Sequence, residues 1–214
     1  MPTNGLDGAA TRELMIAVAR RMIDSVDILT DADRAIGDGD HGVGMRRGFE
    51  AALEALEKQD GTLPPDAVMK AVGMGIMGKT GGAAGAVFGT LFRSGGKALE
   101  GRDVLDGAGL AAFLEAALDA VLKRGQVSEG QKTMVDALAP AARAASGAAD
   151  RPLGEVVAVA AEAASGGVEA TRDMLATTGK ARSLGERSLG HVDPGAVSVS
   201  IILAAMRDHV SRNA

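Results

Sequence analysis

The sequence predicts an all-α protein, and three observations carry the prediction. Alanine supplies 41 of the 214 residues and glycine 30, small side chains that let helices approach closely. Aromatics are limited to four Phe, with no Trp or Tyr, whereas strand-rich chains lean on aromatic and β-branched residues. Apolar residues also recur at three-to-four spacing along most of the chain. The length is enough to bury one sizeable core, and neither an internal repeat nor a long linker divides it, so a single domain over 1–214 is expected.

Taken in order, residues 12–29 place Leu14, Met15, Val18, Met22, Val26 and Leu29 on one helical face and Arg20, Arg21, Asp24 and Asp27 on the other. A loop rich in Gly and Asp is expected over 31–44, followed by a helix over 45–58 through Phe49, Leu53 and Leu56. Gly61 and the pair Pro64-Pro65 mark the next break. The helix entering at Pro64 runs past Val68 and Val72 into a glycine-crowded stretch, 73–89, where Gly81-Gly82 should stop any regular helix. Further helices are expected at 84–98, 106–124, 132–147, 153–178 and 195–211, bounded by Gly, Pro or capping Ser, Thr or Asp. Val-rich 156–160 has some strand character, but the length of its segment favours a helix. Eight elements result, all helical.

Net charge is −5, and no run of Lys and Arg lacks matching acids, which argues against a nucleic-acid partner. The absence of Cys excludes disulfides, thiolate zinc sites and a Cys nucleophile, and fits a reducing compartment. The first residues lack a basic-then-apolar signal, and no apolar run is long enough to span a bilayer, so a cytoplasmic protein without membrane contact is expected.

The most informative segment is 33–44, in which Asp33, Asp38 and Asp40 lie within eight residues on a chain rich in glycine. Such a loop can fold back so that three carboxylates meet, and oxygen ligands without thiolate select a hard cation, Mg²⁺ or Ca²⁺. A solvated acidic turn is the bland alternative. An EF-hand fails on paper, because registers from Asp31 and Asp38 put Gly42 and Phe49 where the closing Glu belongs. Residues 73–80 literally match a P-loop through Gly78, Lys79 and Thr80, yet no strand precedes them, Gly81-Gly82 interrupts the helix that should follow, and no Walker-B partner is present. The same glycines can expose amides to phosphate near Ala84, or simply let helices pack closely. In 179–196, Asp193, Pro194 and Gly195 read as a helix start, and His191 is equally a capping residue or a ligand.

Four motifs in one order give these segments a common meaning. Asp33, Asp38 and Asp40 with His41-Gly42, then Gly81-Gly82-Ala83-Ala84-Gly85 with Gly89-Thr90, then Lys132-Thr133-Met134 with Asp136 and Pro140, and finally 184–196 resemble the nucleotide-binding L subunit of dihydroxyacetone kinases. The resemblance covers about residues 10–210. It implies a single-domain barrel of about eight antiparallel amphipathic helices with a nucleotide at one end. By that likeness Asp33, Asp38 and Asp40 hold two Mg²⁺ ions, and His41, Gly42, Val43, Gly44, Ala83 and Ala84 line the phosphates of ADP or ATP. Gly125, Met134, Lys180, Asp193, Pro194 and Gly195 would surround adenine and ribose, although Met134 on its own reads as core. The chain departs from the family pattern at Ala84, Gln131, Lys180 and Ser183, where Ser, Asp, Arg and Tyr are usual.

The implied work is delivery of a terminal phosphate to a short-chain ketose held on a separate K subunit, with no catalytic side chain beyond the metal and phosphate site. The phosphate would come from exchanging ATP or from a phosphohistidine carrier that recharges retained ADP, and a homodimer is compatible with it. Two rivals are a nucleotide-loaded regulatory module docking on a transcription regulator and a free-standing P-loop ATPase.

Overall fold

The structure, a computed structural model, describes residues 5–59 and 63–213. Its helices are α1 (Gly8–Asp24), α2 (Val26–Ile36), α3 (His41–Glu57), α4 (Pro65–Lys79) and α5 (Gly82–Lys97), then α6 (Gly107–Gly125), α7 (Val135–Ser146), α8 (Leu153–Ala170) and α9 (Pro194–Arg212). From α3 onward each helix packs on the next, and α1 closes the ring by lying between α9 and α3. Neighbours run antiparallel: Gly48 of α3 faces Ile76 and Thr80 while Gly75 of α4 faces Ala52, and Gly89 of α5 faces Gly73 while Gly96 faces Met69 and Asp66. The result is a closed barrel of eight helices, with α2 outside it against α3, α9 and the 3-10 segment Lys180–Ser188.

An even ring of alternating helices has a functional consequence. The N-termini of α3, α5, α7 and α9 all emerge at one end, interleaved with the C-termini of α1, α4, α6 and α8. At the opposite end Asp7 and Asp106 cap α1 and α6 by accepting from the amides of Ala10 and Gly109 at 2.8 and 2.7 Å. There the two short strands β1 (Gly5–Leu6) and β2 (Leu105–Asp106) also pair antiparallel. The interior is apolar: Phe49, Phe92 and Phe113 are buried with ring centroids 6.3 and 6.1 Å apart, linking α3, α5 and α6.

The all-α expectation is met, but several boundaries change. The single helix expected at 12–29 is two, because the Ser25 hydroxyl donates to the carbonyl of Arg21 at 2.8 Å and bends the chain while the apolar stripe resumes beyond it. The loop expected over 31–44 shrinks to 37–40, since α2 continues through Asp33 to Ile36 and α3 starts at His41. Helices expected over 132–147 and 153–178 occupy Val135–Ser146 and Leu153–Ala170, and the helices number nine among the described residues. Gly61, read as a break, lies outside the described residues. The interruption at Gly81 is present, with φ of 79° at Gly81 and 57° at Gly82. Before it, Gly73 and Gly75 sit inside α4 as packing residues: a Cβ on Gly73 would stand 2.8 Å from the carbonyl oxygen of Gly89, and one on Gly75 2.7 Å from the amide nitrogen of Ala52.

Candidate functional site

The end where four helices begin contains a cavity of about 410 Å³. On its α3 side, Asp33, Asp38 and Asp40 each offer a carboxylate oxygen within 4.8 Å of the others. Asp33 sits in the last turn of α2 and is buried, and its Oδ2 accepts from the His41 amide at 3.1 Å. Gly37 makes that turn possible, since a Cβ there would lie 2.2 Å from Asp33 Oδ1. Three oxygen ligands converging without nitrogen or sulfur suit Mg²⁺ by donor chemistry. The cluster is held together by Lys180, whose ammonium donates to Asp38 and to both oxygens of Asp40 at 3.3 and 3.2 Å. That pairing lowers the Asp38 pKa and raises that of Lys180.

His41 follows directly. Its Nε2 lies 2.8 Å from Ser198 Oγ, and the Ser198 hydroxyl donates to the carbonyl of Pro194 at 3.1 Å. Burial pushes the His41 pKa down, which keeps the ring neutral at pH 7. At the start of α3 the first amide is taken by Asp33, whereas α5 has no side-chain N-cap, so its first amides are available to an anion with the helix dipole behind them.

Across the barrel the wall turns apolar, with Phe88, Val121, Val127 and Met134 around Gly125. Asp193 caps α9 by accepting from Ala196 N at 2.7 Å, and burial pushes its pKa up to about 7. Behind it Lys132, buried and at φ 60°, donates to the carbonyls of Thr171 and, at 2.5 Å, of His191. The Thr171 hydroxyl accepts from Asp193 N at 2.9 Å, so these bonds pin both ends of the strap 172–192 that carries Lys180.

Of the residues singled out in the sequence, Asp33, Asp40, His41, Gly44, Ala83 and Ala84 lie on the cavity wall. Gly125, Met134, Asp193, Pro194 and Gly195 line its other side. Gly42 and Val43 do not: Gly42 packs under α2, where a Cβ would be 2.3 Å from the Val26 carbonyl oxygen, and Val43 is exposed. Lys180 also lines the cavity, with its ammonium on the carboxylates. The His191 side chain is exposed and off the cavity wall, and Lys79 is an exposed residue in the last turn of α4. Arg47, Phe88 and Val127 line the cavity without having been found in the sequence. Only Arg47 left a signal, its helical spacing three residues beyond Gly44, hidden by the expectation of a loop up to that glycine.

The fold and site together define a helical barrel whose open end joins a carboxylate cluster, an uncapped helix N-terminus and an apolar slot. The chain belongs to the DAK2-domain family, whose pattern matches residues 35–208. It is 38% identical to the ADP-binding subunit DhaL of PEP-dependent dihydroxyacetone kinase 1 of Listeria innocua, over 87% of this chain and 88% of that one. It is 36% identical to the corresponding ADP-binding subunit of the Escherichia coli enzyme, over 83% and 85%. The crystal structure of the dihydroxyacetone kinase from C. freundii in complex with AMP-PNP and Mg²⁺ shares the fold, with a TM-score of 0.73 at 24% identity over 95% of this chain and 34% of that chain.

Proposed function

We propose that this chain is the nucleotide-binding phosphotransferase subunit of a dihydroxyacetone kinase, holding Mg-ADP or Mg-ATP in the barrel's open end and passing the terminal phosphate to a ketose on a separate K subunit. The observation that carries the reading is the convergence of Asp33, Asp38 and Asp40 near the uncapped start of α5, opposite an apolar slot that suits a base. Two Mg²⁺ ions on the three carboxylates would supply charge neutralisation at the phosphates. Asp33 is oriented for that task by the His41 amide, and the neutral His41 ring is fixed by Ser198 at the side of the same wall. Amides at the start of α5 receive phosphate oxygens, while Gly125, Met134 and 193–195 enclose base and ribose. With metal held on Asp38 and Asp40, the Lys180 ammonium that now occupies them would be displaced and its charge freed for the nucleotide.

The PEP-dependent relatives support a phosphorylated carrier as the phosphate source, with retained ADP recharged in place. Calorimetric titration of ADP with Mg²⁺ and with excess chelator tests the site. Binding that requires Mg²⁺ is expected, and undiminished binding in chelator would overturn the two-metal reading.

A further inference from the structure

Arg47 stands exposed on the cavity wall with one hydrogen bond to the protein. It lies seven residues past Asp40 and three past Gly44, so the helical repeat of α3 turns all three toward the cavity. One Nη2–H donates to the carbonyl oxygen of Thr80 at 3.2 Å, beside the glycine pair that opens α5. A guanidinium has five donors, and among the described residues no carboxylate forms an ion pair with this one. The other cations on the wall are engaged: Lys132 with the carbonyls of Thr171 and His191, Lys180 with Asp38 and Asp40.

Its place in the ring says what it can meet. The apolar slot lies around the end of α6 and the entry to α7, with Phe88 of α5 beside it, and in the order of packing α3 stands opposite α7. A nucleotide with its base in that slot and its phosphates over the uncapped start of α5 would direct its far end toward the cavity wall formed by α3 and the end of α4. The Thr80 carbonyl holds the Arg47 side chain there, and the remaining face of the fork matches two oxygens of a phosphoryl group.

We propose that Arg47 binds the terminal phosphoryl group of a nucleoside triphosphate and is the residue by which this site tells tri- from diphosphate. The proposal rests on the nucleotide reading of the cavity, and the test separates the two. Mg-ADP and Mg-AMP-PNP are titrated calorimetrically into the full chain and into Arg47→Gln and Arg47→Lys. Arg47→Gln should weaken AMP-PNP about tenfold or more, the scale of a charge-assisted hydrogen bond, and change ADP less than about threefold. Arg47→Lys, which keeps the charge, should recover part of the lost affinity for AMP-PNP alone. Equal loss for both nucleotides would make Arg47 a structural tie to Thr80 and overturn the proposal, as would unchanged affinity for both. A wild-type chain that binds neither nucleotide with Mg²⁺ would overturn the site's reading and Arg47's role with it.

Discussion

Two glycines on α4 separate a packing helix from a phosphate loop, and they do so with opposite signs. A Cβ on Gly73 would meet backbone on the facing helix, the carbonyl oxygen of Gly89 at 2.8 Å and the Arg93 amide nitrogen at 2.9 Å, neither of which can yield without moving α5. Overpacking of this kind costs about 1–3 kcal/mol, and the helical preference of Ala over Gly offsets up to about 1 kcal/mol of it. Gly73→Ala should therefore lose about 1–2 kcal/mol, a fall in Tm of about 2–8 °C for a chain of this size. Gly78, the glycine that a P-loop would place against phosphate, has nothing within 4 Å of an added Cβ and no positive φ. Gly78→Ala should gain about 0.5–1 kcal/mol and leave affinity for Mg-ADP unchanged. Urea and thermal unfolding of both variants give the stabilities, and calorimetry the affinity. A Gly73→Ala variant as stable as Gly78→Ala would refute the close α4–α5 approach. A large loss of ADP affinity in Gly78→Ala would restore the P-loop.

Removing a carboxylate from the cluster should be severe: Asp38→Asn is expected to weaken Mg-ADP more than about 100-fold, near 2.7 kcal/mol, measured by the same calorimetry. Lys180→Met should bind Mn²⁺ more tightly than the wild type when nucleotide is absent, because no ammonium then competes at Asp38 and Asp40; electron paramagnetic titration reads it, and equal affinities would contradict the competition. Asp193 keeps its proton to about pH 7 in the fold but loses it near 4 when unfolded, so its contribution to stability, full below about 4, is lost as pH rises to 7. Asp193→Asn, which keeps an oxygen for the α9 cap, should flatten that part of the stability profile, and an unchanged slope from pH 4 to 7 would count against the burial of this carboxyl.

Composition and periodicity were enough for the fold class, because alanine-rich stripes at helical spacing report packing directly, and glycine at Gly81 ends a helix wherever it requires positive φ. The kink at Ser25 was not legible, since the apolar stripe continues from Met22 to Val26 across it while the Ser25 amide turns to the Met22 carbonyl and its hydroxyl takes the Arg21 carbonyl. The carboxylates were legible as a cluster of like residues on flexible chain, but their scaffold was not: Asp33 belongs to a helix end, and that shift of boundary also concealed Arg47 on α3. The β1–β2 pairing joins residues a hundred apart in two-residue strands, too short for any periodic pattern. Lys180 on Asp38 and Asp40, and Lys132 on the carbonyls of Thr171 and His191, are contacts between distant segments that no local pattern encodes.

Partner dependence tests the central claim most directly. His41 is tied to Ser198, the His191 side chain is exposed off the cavity wall, and His209 lies in the last turn of α9 at the opposite end of the barrel, so none is placed as an acceptor site for a ketose beside the carboxylates. The measurement follows dihydroxyacetone phosphate formation by the purified chain with Mg²⁺ and dihydroxyacetone, supplied with either ATP or a phosphorylated carrier protein, with and without a K subunit. The account predicts no turnover by the chain alone and turnover once the K subunit is added. Rapid phosphorylation of dihydroxyacetone by the chain alone would contradict it.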